Sequence, residues 1–162
     1  MVRRLQPNVG EVNVIDSEPP DLHTPGDLGL EDIELRLAAD LVNLPIVRSV
    51  VATIATRADF DLDAIADLRL AVDEACSTLI TRAVPGTVMH CRFTVSGDSL
   101  CFVGTVRSET GAEPSTKSFG WRVLTTLTDS VHSRISSNGQ FHRLDIELAK
   151  RRVVVEVPGA GA

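Results

Sequence analysis

The chain has 162 residues, a formal net charge of −6 at pH 7 and 43% hydrophobic residues. This length fits a single domain, and the apolar content is sufficient for a folded core. An acidic chain is poorly suited to coating a phosphate backbone, because non-specific affinity for nucleic acid comes from clustered Lys and Arg. We therefore expect one globular domain that does not bind nucleic acid directly.

The two ends of the sequence differ in composition from its centre. Residues 1–30 are rich in Pro, Gly and acids, which predicts a flexible leader without a signal peptide's apolar run. Residues 153–162 end in PGAGA, a linker-like composition, although VVVEV before it is also compatible with a short strand. Residues 31–152 are the predicted domain. Because no segment approaches the roughly 20 apolar residues of a membrane span, we expect a cytoplasmic protein.

The predicted domain opens with a strand and a helix. Apolar residues alternate with polar ones from Ile33 to Leu37, which is typical of a half-buried strand. From Leu44 to Arg57 the apolar residues recur every three or four positions, which predicts a helix with one buried face. Pro45 suits the first turn of that helix, where its missing N–H costs nothing.

A second helix and a hairpin follow. Helical spacing of apolar residues continues from Leu62 to about Arg82, after the capping acid Asp61 and before the turn at Pro85-Gly86. Alternating residues on either side of Ser96-Gly97-Asp98-Ser99 then predict a β-hairpin.

The cysteines and histidines show no metal-ligand or redox spacing. We therefore predict no metal site built from them, and reduced thiols at Cys76, Cys91 and Cys101. With Gly97-Asp98 as the hairpin loop, Cys91 lies opposite Gly104, an odd number of residues beyond Cys101, so the two thiols point to opposite faces of the sheet. A disulfide between Cys91 and Cys101 is not expected.

The remainder of the domain is predicted to contain a loop, a short helix and a second strand pair. Residues 107–117 are polar and aperiodic, a third helix covers about Phe119 to Asp129, and strands lie near Val131–Ser136 and Phe141–Leu148. Grouped strands with helices between them predict an α+β fold, a two-layer sandwich whose mostly antiparallel sheet carries helices on one face. The third helix is expected to bury Phe119, Val123, Leu124 and Leu127.

The second helix carries a family motif. LRLAVDEACSTLI, from Leu68 to Ile80, resembles the N-box helix of the GHKL ATPases, in particular the anti-sigma factor kinases of the RsbW and SpoIIAB type and the mycobacterial anti-sigma-F factors. The resemblance continues through residues 43–67 and through SFGWRVLTTLTDSV, residues 118–131. It implies a GHKL, or Bergerat-like, fold for most of the domain, with ATP and Mg²⁺ as cofactors and a homodimeric assembly.

The N-box of that family reads E-x-x-x-N. Its Glu polarises the attacking species, and its Asn holds the magnesium ion that bridges the ATP phosphates. Glu74 has the first place and is the candidate catalytic residue. Thr78 has the second place, one turn later on the same helix face, but its hydroxyl is a poorer ligand than a carboxamide oxygen. The alternative for Glu74 is an ordinary exposed acid of a helix.

Two further nucleotide-binding elements of the family are altered. Its D-x-G-x-G box supplies an Asp that reads adenine, whereas VGTVRSETGAEP stands here without an Asp. Its glycine-rich phosphate loop is reduced to Gly120 in SFGWRV. Lys117 is a candidate phosphate ligand, or else a solvated loop lysine. The resemblance therefore implies a nucleotide site that is partly dismantled.

The same resemblance implies partners. Arg48 corresponds to a family arginine that contacts the sigma factor; otherwise it is a surface charge opposite the buried stripe. Family members sequester a sigma factor and release it to an anti-anti-sigma antagonist of the STAS type, which the kinase members phosphorylate. Because sequestration needs only surface complementarity, it can outlast the loss of phosphotransfer. An anti-sigma factor with a degenerate site ranks first, an active ATP-dependent serine kinase second, and a GHKL-like module acting outside transcription third.

Overall fold

The computed structural model describes residues 32–154 and residue 159. The predicted leader and most of the predicted tail lie outside these residues, and Val153 and Val154 are in no strand. The elements in chain order are β1 (Asp32–Ala38), a 3₁₀ turn (Leu41–Asn43), α1 (Leu44–Arg57), α2 (Leu62–Arg82), β2 (Val88–Ser96), β3 (Ser99–Ser108), α3 (Phe119–Leu127), β4 (Ser130–Ser137) and β5 (His142–Arg151).

The strands form one antiparallel sheet in the order β1-β2-β3-β5-β4. Alternate side chains of each strand enter the core, where Phe93, Phe102 and Leu148 are fully buried. The other side chains of each strand point away from the helices. The predicted α+β sandwich with helices on one face is confirmed.

Helix α2 lies at the centre of the helix layer. It contacts α1, α3 and strands β3 and β5, so one side of it is buried along its whole length. The carboxylate of Asp61 caps its start by accepting a hydrogen bond from the N–H of Ala64 at 2.7 Å. Of the helices in the described part of the chain, none combines the length and apolarity of a membrane span.

The hairpin has the register that the sequence predicts. Ser96 pairs with Ser99 and Cys91 pairs with Gly104, while Gly97 takes a positive φ of 59° in the two-residue turn. Cys91 is buried in the core and Cys101 lies on the opposite face of the sheet. Strand β3 continues to Ser108, so the first two residues of the predicted 107–117 loop belong to the sheet.

Helix α3 corrects one sequence prediction. Phe119 is not buried: it is the first residue of the helix and is 82% exposed. The helix has nine residues at one side of the helix layer, so a single residue, Leu124, is fully buried and Trp121 fills the space beside the core. Val123 and Leu127 are half-buried and, with Phe119, border a shallow groove of about 250 Å³.

Candidate functional site

Glu74 lies in the middle of α2 and faces the start of α3. A Cβ atom on Gly120 would overlap Oε1 of Glu74 and would lie 3.0 Å from its Cδ. The half-buried carboxylate therefore packs directly against the Gly120 backbone, an approach that glycine permits because it has no side chain. The fold thus brings together two of the residues that the sequence assigned to the nucleotide site.

The same helix face continues from Glu74 to the loop after β3. Thr78 is half-buried one turn further on, and Arg82 follows one turn after that. The guanidinium of Arg82 donates a hydrogen bond to the carbonyl of Ala112 at 2.8 Å, and its own carbonyl accepts one from the N–H of Glu109 at 3.1 Å. The sequence analysis did not identify Arg82, although its spacing of four residues from Thr78 places it on the same helix face.

Residues 109–118, which connect β3 to α3, are held across this region and are called the 109–118 segment below. Gly111 lies so close to the His142 imidazole that an added Cβ would be 2.9 Å from its Cε1. Further along, Glu113 accepts a hydrogen bond from the Ser133 hydroxyl at 3.0 Å. The segment is therefore fixed to α2, β4 and β5 at the position that the resemblance assigns to the adenine box.

His142 lies beneath this segment at the start of β5. Its Nδ1 atom is buried and has no hydrogen-bond partner within the described residues. Nearby, the buried hydroxyl of Ser108 donates to the carbonyl of Thr110 at 2.8 Å. Within residues 32–154, no Asp or Glu side chain of the 109–118 segment forms a hydrogen bond with His142 or Ser108. The polar group under the segment is therefore an unpaired imidazole nitrogen rather than a carboxylate.

Lys117 is exposed just before α3. Within residues 32–154 no ion pair or side-chain hydrogen bond joins it to Glu74 or Thr78. In the same part of the chain, no three His, Cys, Asp or Glu side chains lie close enough together to hold a metal ion. The described structure brings Glu74 to Gly120 but does not bring Lys117 to either.

Arg48 lies on the other side of α2, where α1 packs. Its Nε donates a hydrogen bond to Oδ1 of Asp73 at 2.6 Å, while its side chain remains 40% exposed. Because Asp73 directly precedes Glu74, this ion pair links α1 to the N-box motif. The sequence reasoning missed Asp73, since helical spacing does not show which charge of one helix meets a charge of the next.

Large apolar residues are exposed at the start of α1, the half of the helix that also carries Arg48. Leu41, Val42 and Ile46 are 52%, 73% and 48% exposed, in the 3₁₀ turn and the first turn of α1. They lie outside the buried stripe, so sequence periodicity gave them no role. Clustered exposed apolar side chains mark protein interfaces, in which arginine is also enriched. We call Leu41, Val42, Ile46 and Arg48 the α1 surface.

An antiparallel sheet under three helices, with an N-box glutamate against a glycine of the next helix, defines a histidine kinase-like ATPase domain. Residues 37–146 match the family described as histidine kinase-like ATPase domain, and the chain belongs to that family. It is also 40% identical over 114 residues to the anti-sigma-F factor RsbW of Mycobacterium tuberculosis, from two strains, with 70% of this chain and 68% of each relative covered. It is thus a homologue of that anti-sigma factor, as the N-box resemblance predicted.

Proposed function

We propose that the protein is a cytoplasmic anti-sigma factor that holds a sigma factor through the α1 surface and does so without bound nucleotide. The homology to anti-sigma-F factor RsbW supports the class of partner. The exposed apolar residues and the half-exposed arginine in the first half of α1 support the place of binding, because interfaces combine apolar anchors with arginine.

The absence of an Asp from the 109–118 segment is the observation that carries the nucleotide-free proposal, and the phosphate end of the site adds to it. At the phosphate end, the Glu74 carboxylate lies against the Gly120 backbone and would have to rotate away to admit a phosphate there. Thr78 then offers a hydroxyl where a carboxamide oxygen is the better magnesium ligand. The phosphate end of ATP therefore has weak support.

The adenine end has weak support as well. The 109–118 segment carries no Asp, and it is fixed by Arg82, Ser133 and His142. A buried polar group of a ligand that finds no partner costs about 1–3 kcal/mol, so an adenine amino group without its carboxylate loses much of its discrimination. Because the two losses act on one ligand, they compound.

Release and assembly follow the family pattern in this proposal. A STAS-type anti-anti-sigma protein competes for the α1 surface and frees the sigma factor.

β1 is an edge strand, so its outer N–H and C=O groups are available for pairing across a two-fold axis in a homodimer. Sedimentation equilibrium should show a dimer, and deletion of residues 1–30 should leave it folded and dimeric; a monomer would place the leader in the interface.

An active ATP-dependent serine kinase is the second candidate. The retained Glu74 favours it, because this residue keeps the family's catalytic place on the central helix and is half-buried there. In that case Glu74 would activate the antagonist hydroxyl, and Lys117 would move to the phosphates.

Titration with ATP and Mg²⁺ distinguishes the two candidates. Trp121 is the single tryptophan of the chain and directly follows Gly120, so its fluorescence reports on this site. We expect neither a fluorescence change nor calorimetric heat at millimolar ATP, in wild type or in Thr78→Asn, which restores the N-box but not the adenine anchor. Micromolar saturation of wild type would support the kinase.

A further inference from the structure

The face of the sheet that points away from the helices is strongly charged at one end. The strand register aligns one row of side chains across all five strands. In the adjacent row, Arg107 of β3 lies opposite Arg143 of β5. These rows contain four arginines and a histidine around one acid. The first row consists of Arg36, His90, Thr105, Asp145 and Arg134. We call Arg36, His90, Arg107, Arg134 and Arg143 the arginine face.

A single carboxylate lies among these cations. Asp145 accepts hydrogen bonds from Arg143 Nε at 2.9 Å and from the Thr105 hydroxyl at 2.6 Å, so it is already engaged. The Arg107 guanidinium lies 4.4 Å from the centre of the Phe141 ring. Within residues 32–154 no acid forms an ion pair with Arg107, nor with Arg36 or Arg134 in the first row.

Like charges face each other across the strands of this face. Like charges directly opposite each other destabilise a sheet, and Arg107 faces Arg143 in this way. Burial lowers the pKa of His90, and the neighbouring Arg36 and Arg143 lower it further, against an opposing effect of Glu34. The acids Glu34 and Glu147 lie in the next row toward Asp32, in which Glu34 pairs with Arg92 and Glu147 with His132. The end of the sheet with the arginine face therefore has excess positive charge on a protein of net charge −6.

The sequence supplies an anionic segment next to this face. Residues 1–31 contain six acidic residues and two arginines, a net charge of −4, and they lead directly into β1 at the edge of the sheet. Five strands at a spacing of about 4.8 Å are roughly 20 Å wide. Random-coil dimensions for a chain of this length give about 30 Å between its ends, so its acids can reach every strand.

We propose that residues 1–31 dock on the arginine face through contacts between their acidic side chains and its arginines. The segment neutralises the cationic end of the sheet and covers it, held by charge rather than by an apolar core. Because such contacts are partly exposed, salt should weaken them.

Photo-crosslinking in the full chain tests the docking. Benzoylphenylalanine at position Val14 is irradiated in a mixture of ¹⁴N- and ¹⁵N-labelled protein, and the crosslinked peptides are located by mass spectrometry. The test variant carries Arg36→Gln, Arg107→Gln and Arg134→Gln. The matched control carries three substitutions of exposed arginines in the helix layer, which are Arg57→Gln, Arg69→Gln and Arg122→Gln.

We expect crosslinks within one chain to peptides of β3, β4 and β5, reduced at least fivefold in the test variant and unchanged in the control. About 0.5 M salt should reduce the yield in wild type, a result that does not depend on how well a variant folds. Crosslinks to the helix layer, crosslinks between differently labelled chains, no crosslinks, or a yield indifferent to both salt and the arginine substitutions would overturn the proposal.

Discussion

The family's candidate functional residues are exposed on one side of α2 and closely packed on the other. On the α1 side, the apolar residues of the α1 surface are exposed and Arg48 is half-exposed. On the α3 side, Glu74 packs against Gly120 and the 109–118 segment is fixed to Arg82 and His142. Binding a protein requires a surface, whereas phosphotransfer requires a cavity with several groups in fixed positions. The first can therefore persist in a fold that has lost the second.

The largest expected effect separates the two sides by a matched pair of substitutions. Ile46→Asp places a charge in the α1 surface and should weaken sigma-factor binding about 100-fold, or about 2.7 kcal/mol. Leu70→Asp changes a residue of similar exposure, 52% against 48%, on the side of α3 and should leave binding unchanged. Surface plasmon resonance measures both affinities. Equal losses would mean that the α1 surface is not the particular site of binding.

Alanine substitutions of two glycines compare a contact with rigid core side chains, at Gly104, and a contact with a carboxylate that can rotate, at Gly120. A Cβ on Gly104 would overlap Leu79 Cδ1 and lie 3.0 Å from Phe102 Cζ in the full core, so Gly104→Ala should lower the free energy of unfolding by about 2 kcal/mol. In Gly120→Ala the Glu74 carboxylate can rotate away, and helix propensity favours Ala, so we expect a change below about 0.5 kcal/mol. Urea unfolding measures both; an equal cost at Gly120 would mean that Glu74 is locked.

Charge exchange tests Arg48 for partner binding separately from its ion pair. Arg48→Glu should weaken sigma-factor binding at least tenfold, or about 1.4 kcal/mol, and should also place two acids side by side at Asp73. The double variant Arg48→Glu with Asp73→Arg restores an ion pair. We expect urea unfolding to show recovered stability and binding to remain weak. Recovered binding would give Arg48 a purely structural role.

The smallest expected effect concerns the buried face of α2. A hydrogen bond with Cys91 and then burial raise the pKa of the Cys76 thiol well above its usual value. The unfolded thiol ionises first, so stability is fully present below about pH 8.5 and declines as the pH rises above it. Urea unfolding at about pH 7.5 and 9.5 should show this decline, and Cys76→Ala should reduce it. The chain has no tyrosine to obscure the comparison. Identical slopes would contradict the assignment.

Local signals account for what the sequence predicted correctly. Apolar periodicity gave the bounds of α1 and α2, and the turn residues gave the hairpin register that keeps Cys91 and Cys101 apart. The exposure of Phe119 was missed because a short helix at one side of a layer has too few turns to define its buried stripe. The N-box motif identified Glu74, but its contact with Gly120 depends on packing between α2 and α3, which no local pattern records.

The central claim is that sequestration does not need nucleotide. The most direct measurement incubates the complex of wild-type protein and sigma factor with labelled ATP, Mg²⁺ and the cognate anti-anti-sigma protein, followed by gel filtration and autoradiography. The account predicts that the complex forms equally well without ATP, that the antagonist releases the sigma factor without ATP, and that the antagonist carries no label. Stoichiometric label on the antagonist within minutes, or a complex that forms only with ATP, would contradict it and make Glu74 a catalytic residue.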